Sequence, residues 1–284
     1  MTPLTIGDVL VYRLIERHGP WRAPEIMFPS CDKATALAHL KGMEPFLYDA
    51  AQNKLVIDYQ TFIVRTPRHT ILIDSCMGEN KGYGPPWDFP VQPWLDGLAA
   101  TGLGFGDIDF VFCTHLHIDH CGWNTRLVDG RWVPTFANAE YLTVRAELDG
   151  LERKRDAGDA QYRALYDDSV LPVIETGQVV MVEPDHEIAD GVGLEPSPGH
   201  SPGHVSVRMV SDGEQGVAIG DMLHHPIQGI HPDWNSSACE DASMARRTRR
   251  AFLERAADDG IKVLPAHFAP AGVERAGEAF RFVF

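Results

Sequence analysis

Residues 114–122 read Thr114-His115-Leu116-His117-Ile118-Asp119-His120-Cys121-Gly122. Four side chains that can ligate a metal, His115, His117, Asp119 and His120, fall within six residues. They follow the apolar run 110–113, whose pattern predicts a buried strand. The stretch therefore reads as a strand that ends and a tight loop that turns several donors toward one point. Imidazole nitrogens and a carboxylate suit zinc and neighbouring transition metals. His115 and His117 alternate as strand residues do, so both can face one ion. Asp119 and His120 lie past the strand end, where the chain can turn them toward a second.

Three further places supply donors. Pro198-Gly199-His200-Ser201-Pro202-Gly203-His204 puts two histidines in Gly-rich turns before an apolar stretch at Val205. Ala218-Ile219-Gly220-Asp221 puts a carboxylate at the end of an apolar run, and Leu264-Pro265-Ala266-His267 ends the last run on a histidine. Each donor follows a strand or a glycine turn, where loops carry function on a rigid scaffold. Singly, Asp221 also reads as a helix cap and His267 as a structural histidine.

The HxHxDH segment at 115–120, the PGHSPGH segment, the Gly220-Asp221 pair and the late His267 occur in the order of the metallo-β-lactamase superfamily, which the chain resembles from about Leu55 to His267. The resemblance implies an α/β fold, a four-layer αβ/βα sandwich with metals at one edge, as a single domain over 1–284. It implies His115, His117 and His200 at a first metal and Asp119, His120 and His267 at a second, with Asp221 bridging. The cofactors implied are two divalent metal ions, Zn2+ first, with Mn, Co and Fe compatible. Asp119 and Asp221 take the catalytic roles, Asp74 supports the loop from below, and His204 is structural. His120 matches the two-metal hydrolase branch, similar to lactonases and related esterases.

The function this implies is a metal-bridged hydroxide attacking a lactone or a carboxylic or aryl ester. A phosphotriesterase, thioesterase or β-lactamase would use the same site, and a mononuclear iron sulfur dioxygenase would need His115, His200 and Asp221 only. Trp123 next to the cluster, His224 after Asp221 and Phe268 after His267 are candidate pocket walls, with Trp234 and the aromatic 78–94 loop beside them. Core packing for Trp123, and solvent exposure for His224 and His225, are the competing readings.

Composition bounds the rest. A chain of 284 residues, 44% hydrophobic, can bury a large core. Its formal charge of −15 repels phosphate backbones, so nucleic acid is not an expected partner. Five scattered cysteines without a CxxC pair read as reduced thiols. No run approaches the ~20 apolar residues of a membrane span, and residues 1–14 lack a signal-peptide pattern. The expectation is a cytoplasmic enzyme with a small-molecule substrate and no membrane partner, compatible with a homodimer. Apolar runs at 9–15, 55–64, 70–73, 110–113, 179–182, 217–219 and 262–264 predict buried strands, and 205–209 a strand with one solvated face. Helices are predicted at 32–40, 93–100, partly over 137–154, and at 241–259, whose arginine cluster reads as a solvated face.

Overall fold

The computed structural model describes residues 1–87 and 89–284; Asp88, in the 78–94 loop, lies outside the described residues. Most of the apolar runs become strands because they are buried on both faces; Val179–Val182, expected as buried, is instead a partly buried strand at the sheet edge with Met181 exposed, because only one neighbour covers it. In Val9–Pro20, Val9 and Val11 face one way into a core shared by two sheets, while Tyr12 and Leu14 face the other way. Thr70–Ile73 and Glu214–Gly220 behave alike: Ile71, Ile73 and Ala218 point between the sheets, and Leu72, Val217 and Ile219 point outward. Two-sided burial is why these strands read as continuous rather than alternating runs.

The first sheet runs in the order Leu4–Ile6, Val9–Pro20, Lys54–Arg65, Thr70–Ile73, Phe110–Phe112, Glu140–Val144 and Val179–Val182, with Tyr48–Asp49 paired to Lys54–Arg65. The second runs Glu187–Ala189, Val192–Pro196, Val205–Ser211, Glu214–Gly220 and Lys262–Pro265. Helix Gln92–Ala100 lays Trp94 and Leu98 on the outer face of the first sheet. Helix Ala242–Asp259 lays Phe252, Leu253 and Ala256 on the outer face of the second. The layers are therefore helix, sheet, sheet, helix, as expected. The long helix starts where Asp241 accepts from Met244 N and stops at Gly260, whose φ of 66° is the left-handed cap that glycine favours.

Several expectations change. Within 137–154, Glu140–Val144 is a strand held in parallel between two neighbours, and the helix is Arg145–Asp156. Its Leu142 and Val144 are buried between the sheets and Tyr141 on the other face, and sheet pairing overrides the helical tendency. Ser206, expected on a solvated face, is buried and bonds Ser197 Oγ at 2.8 Å. Arg249, expected in a solvated cluster, is 0% exposed and donates to the carbonyls of Met222 and Pro232. Two hairpins were not expected. Thr125–Val128 and Arg131–Pro134 close on Asp129-Gly130, both at positive φ, which is the Asp-Gly hairpin signal. Gly272–Ala276 and Ala279–Val283 form the other. All five cysteines are free, and among the described residues no helix is long and apolar enough to cross a membrane.

Candidate metal centre

The strand Phe110–Phe112 stops before the cluster, so residues 115–120 lie in a loop rather than on strand. That loop is held from beneath. Asp74, at the end of Thr70–Ile73 with φ 55°, accepts from Thr114 N at 2.7 Å and from the Thr114 hydroxyl at 3.0 Å. Its other oxygen lies 3.0 Å from His120 Nδ1. A left-handed aspartate is uncommon, and these contacts over-determine it. The expected supporting role of Asp74 therefore has a geometric basis. Gly220 is required where it stands: its φ is 49°, and a Cβ would sit 2.4 Å from Thr114 Oγ1 and 2.7 Å from His204 Nε2.

Three imidazole nitrogens converge. His117 Nδ1 is 2.9 Å from His115 Nε2 and 3.1 Å from His200 Nε2. Asp221 Oδ2 lies 3.3 Å from His200 Nε2 and 3.7 Å from His115 Nε2. Asp221 Oδ1 turns the other way, 2.9 Å from His267 Nε2 and 3.2 Å from His120 Nε2. Asp119 Oδ2 is 3.7 Å from both His120 Nε2 and His267 Nε2. Two groups thus form, His115/His117/His200/Asp221 and Asp119/His120/His267, and either could hold a metal ion.

Burial holds His115 and His200 well below the usual imidazole range and brings His117 down to about 4, so all three present neutral nitrogens. Burial acts against protonating His120 and His267 too, but the facing carboxylates, Asp221 foremost, carry both above the usual range. Three neutral imidazoles cannot satisfy one another by hydrogen bonds alone. In addition, His120 Nε2 and Asp221 Oδ1, which face each other, are buried without a hydrogen bond of good geometry. Buried polar groups are normally satisfied. The donor set fits divalent cations.

His204 lies outside both groups. Its Nδ1 pairs with Ser197 Oγ at 2.8 Å and its Nε2 accepts from Asp221 N at 3.1 Å, so it orients the backbone of the shared carboxylate. His224 joins Asp221 and His267 in a third grouping, its Nε2 3.1 Å from Asp221 Oδ2. It is 3% exposed and lines the pocket over the centre; the exposed alternative is excluded for both loop histidines, since His225 is buried with its ring against Leu47 O at 2.8 Å.

Two other expected walls are corrected. Trp123 is 1% exposed and lines no part of the pocket. Its backbone N–H bonds Ser75 O at 2.8 Å, its ring stacks on Trp94 at 4.6 Å, and its indole N–H donates to Glu16 Oε1 at 2.8 Å. Phe268, also 1% exposed, packs against Phe282 at 5.1 Å because the chain turns inward past His267. Trp234 stacks on His231 away from the opening. Of the 78–94 loop, Trp87 does line the pocket.

The pocket holds about 220 Å³. Trp21, Ile57, Tyr59 and Trp87 make its apolar wall, and Arg22, Tyr162 and Ser236 are among its polar lining. Trp21 and Trp87 stand 4.8 Å apart and Trp21 and Tyr59 5.7 Å, edge to face. Sequence reading missed Trp21, which follows the strand Val9–Pro20, Tyr59, inside the strand Lys54–Arg65, and Tyr162, in the helix Ala160–Leu165, since no local pattern marks aromatics that reach a site assembled from distant loops.

Glu16 was missed as well. It is a buried carboxyl caged by the Met77 and Gly78 N–H groups at 2.9 and 3.1 Å and by the Trp123 indole. Burial pushes it up to about 7. A carboxyl raised on folding binds its proton more tightly in the folded state, so its contribution to stability falls as pH rises from about 4.5 to about 7. Comparing melting-derived stability against pH, Glu16→Gln should lack a decline of up to roughly 3 kcal/mol seen in the parent across that window. Parallel profiles for the two proteins would refute it.

The sequence matches the metallo-beta-lactamase superfamily over residues 58–267, and the chain belongs to that superfamily. A relative named N-acyl homoserine lactonase, from Bacillus cereus, is 33% identical over 169 residues, covering 55% of this chain and 59% of that protein. The matched stretch is thus less than two thirds of that relative's length. The crystal structure of the hydrolase AbOPH of the beta lactamase superfamily superposes with TM-score 0.84 at 21% identity, covering 99% of this chain and 96% of that one. AidC, a dizinc quorum-quenching lactonase, superposes with TM-score 0.83 at 19% identity and the same coverage. At such identities these two likenesses show the shared fold.

Proposed function

We propose that the chain is a dinuclear metal-dependent hydrolase of lactones or carboxylic esters, with zinc as its metal. The observation that carries this is one carboxylate, Asp221, whose two oxygens reach separate donor groups. Two divalent cations bound there would supply a hydroxide at neutral pH and a Lewis acid for the attacked carbonyl. His115, His117 and His200 would hold the first, and Asp119, His120 and His267 the second, with Asp221 shared. Asp119 borders the pocket and its side chain is more exposed than that of Asp221, 14% against 5%. It is placed to pass a proton to the departing alkoxide. His224, against Asp221 and facing the pocket, would orient the substrate carbonyl by hydrogen bonding.

The aromatic wall favours an apolar acyl or aryl arm over a charged one. A volume near 220 Å³ lies below the usual range for drug-sized ligands, which suits a compact lactone or ester. The lactonase name of the Bacillus cereus relative and the dizinc lactonase among the fold neighbours support the same reading. Metal analysis should find two zinc ions per chain, and chelation should abolish turnover that zinc restores. Among γ-lactones, aryl esters, thioesters, phosphotriesters and a chromogenic cephalosporin, the lactones or esters should show the highest kcat/KM. One iron per chain with oxygen uptake would overturn the proposal.

A further inference from the structure

We propose, resting on the two-metal reading above, that each metal group has its own polar clamp: Glu147 positions the His115/His117/His200 group, and Gln60 positions His267. Both are positioning residues that border no part of the pocket.

Glu147 lies in the first turn of helix Arg145–Asp156 and is buried. Its Oε1 accepts from Leu116 N at 2.9 Å, the amide between His115 and His117. Its Oε2 accepts from Ser201 Oγ at 2.7 Å and Gly203 N at 3.0 Å, just past His200. One carboxylate thus ties together the two loops that supply all three histidines. Charge-assisted bonds of this kind are the strong ones, and bonds behind a ligand set its aim.

On the other side, Gln60 stands in the strand Lys54–Arg65. Its Nε2 donates to Pro265 O at 2.5 Å and Phe268 O at 2.7 Å, carbonyls that bracket His267. Arg13 Nε donates to Gln60 Oε1, so the amide has one orientation, with its N–H groups toward the turn. The same strand takes His267 O through Asp58 N and His267 Nδ1 through Asp58 O, both at 2.8 Å. Nδ1 donating to a carbonyl leaves Nε2 as the free donor atom facing Asp221. The two clamps share no hydrogen-bond partner.

A side chain that only stabilised the fold would weaken both metals together, whereas a clamp acts on one. The test uses full-length chains carrying His267→Ala, which keeps the first group, or His200→Ala, which keeps the second. Zn2+ affinity is measured by competition with a chromophoric chelator, and metal-free melting reports folding. Glu147→Gln should weaken zinc roughly 10–100-fold in the His267→Ala chain. In the His200→Ala chain it should change affinity within about twofold, as independent sites do. Gln60→Met should give the reverse pattern. Ser201→Ala, which removes one bond to Glu147, should reproduce the Glu147 pattern at smaller size even if Glu147→Gln does not fold. Equal losses in both backgrounds, or none in either with native melting, would overturn the clamps. Fewer than two zinc ions in the parent chain would instead overturn the two-metal reading, and the clamps with it.

Discussion

Asp221→Ala is expected to abolish turnover and to release metal, with activity falling by roughly 10³-fold or more, since loss of even one electrostatic stabiliser costs 10²–10³. The size follows from the geometry. Asp221 Oδ2 faces His200 and Oδ1 faces His267, so one truncation removes a donor from both groups. It also removes the buried negative charge that faces His267 and His120: desolvation pushes the Asp221 carboxyl up, and those two histidines, His267 foremost, pull it well below the usual range. His117→Ala should lower metal content through the first group only. Plasma mass spectrometry of the purified variants, beside kcat/KM on the best substrate, separates the two. An Asp221→Ala chain that kept activity after losing its metals would defeat the mechanism.

The second large effect is on stability. Arg249→Ala should destabilise the fold by about 3 kcal/mol, because two buried carbonyls would lose their donor at about 1–3 kcal/mol each. Those carbonyls are Met222 O at 2.9 Å and Pro232 O at 2.7 Å, and Asn235 Oδ1 accepts from the same guanidinium at 3.3 Å. Met222 follows Asp221 directly, so the arginine also ties down the shared carboxylate's loop. A fall in melting temperature on the order of 5 °C is expected. Arg246→Ala and Arg247→Ala, on the exposed side of the same helix, should be near neutral. Equal melting temperatures for Arg249→Ala and the parent would refute the assignment.

The metal groups were legible because each donor sits at a strand end or in a glycine turn. Where a strand stops is written locally: 115–120 follow Phe110–Phe112, Asp221 follows Glu214–Gly220, and His267 follows Lys262–Pro265. Glu214–Gly220 and Lys262–Pro265 are parallel neighbours that end on the same side, and Phe110–Phe112 of the facing sheet ends beside them, since Asp221 approaches His115, His120 and His267, so local signals converge. The pocket walls were not legible, because adjacency in sequence does not give direction. Trp123 is three residues past His120, yet its backbone bond to Ser75 O and that of Gly122 to Cys76 O carry it away from the opening toward Glu16. Phe268 adjoins His267 and points into the core. Trp21 and Tyr59, far from every motif, reach the opening.

The sequence by itself therefore determined the candidate donors, their order and the main strands and helices, which depend on residue type, short spacing and apolar periodicity; the layered α/β class entered only through the family resemblance those motifs carry. Only the tertiary structure decided which aromatics face substrate, that Arg249 is buried while its neighbours are solvated, and that Glu147 and Gln60 stand behind separate ligand groups. Each of those depends on contacts between residues far apart in the chain, whose energies no local pattern encodes.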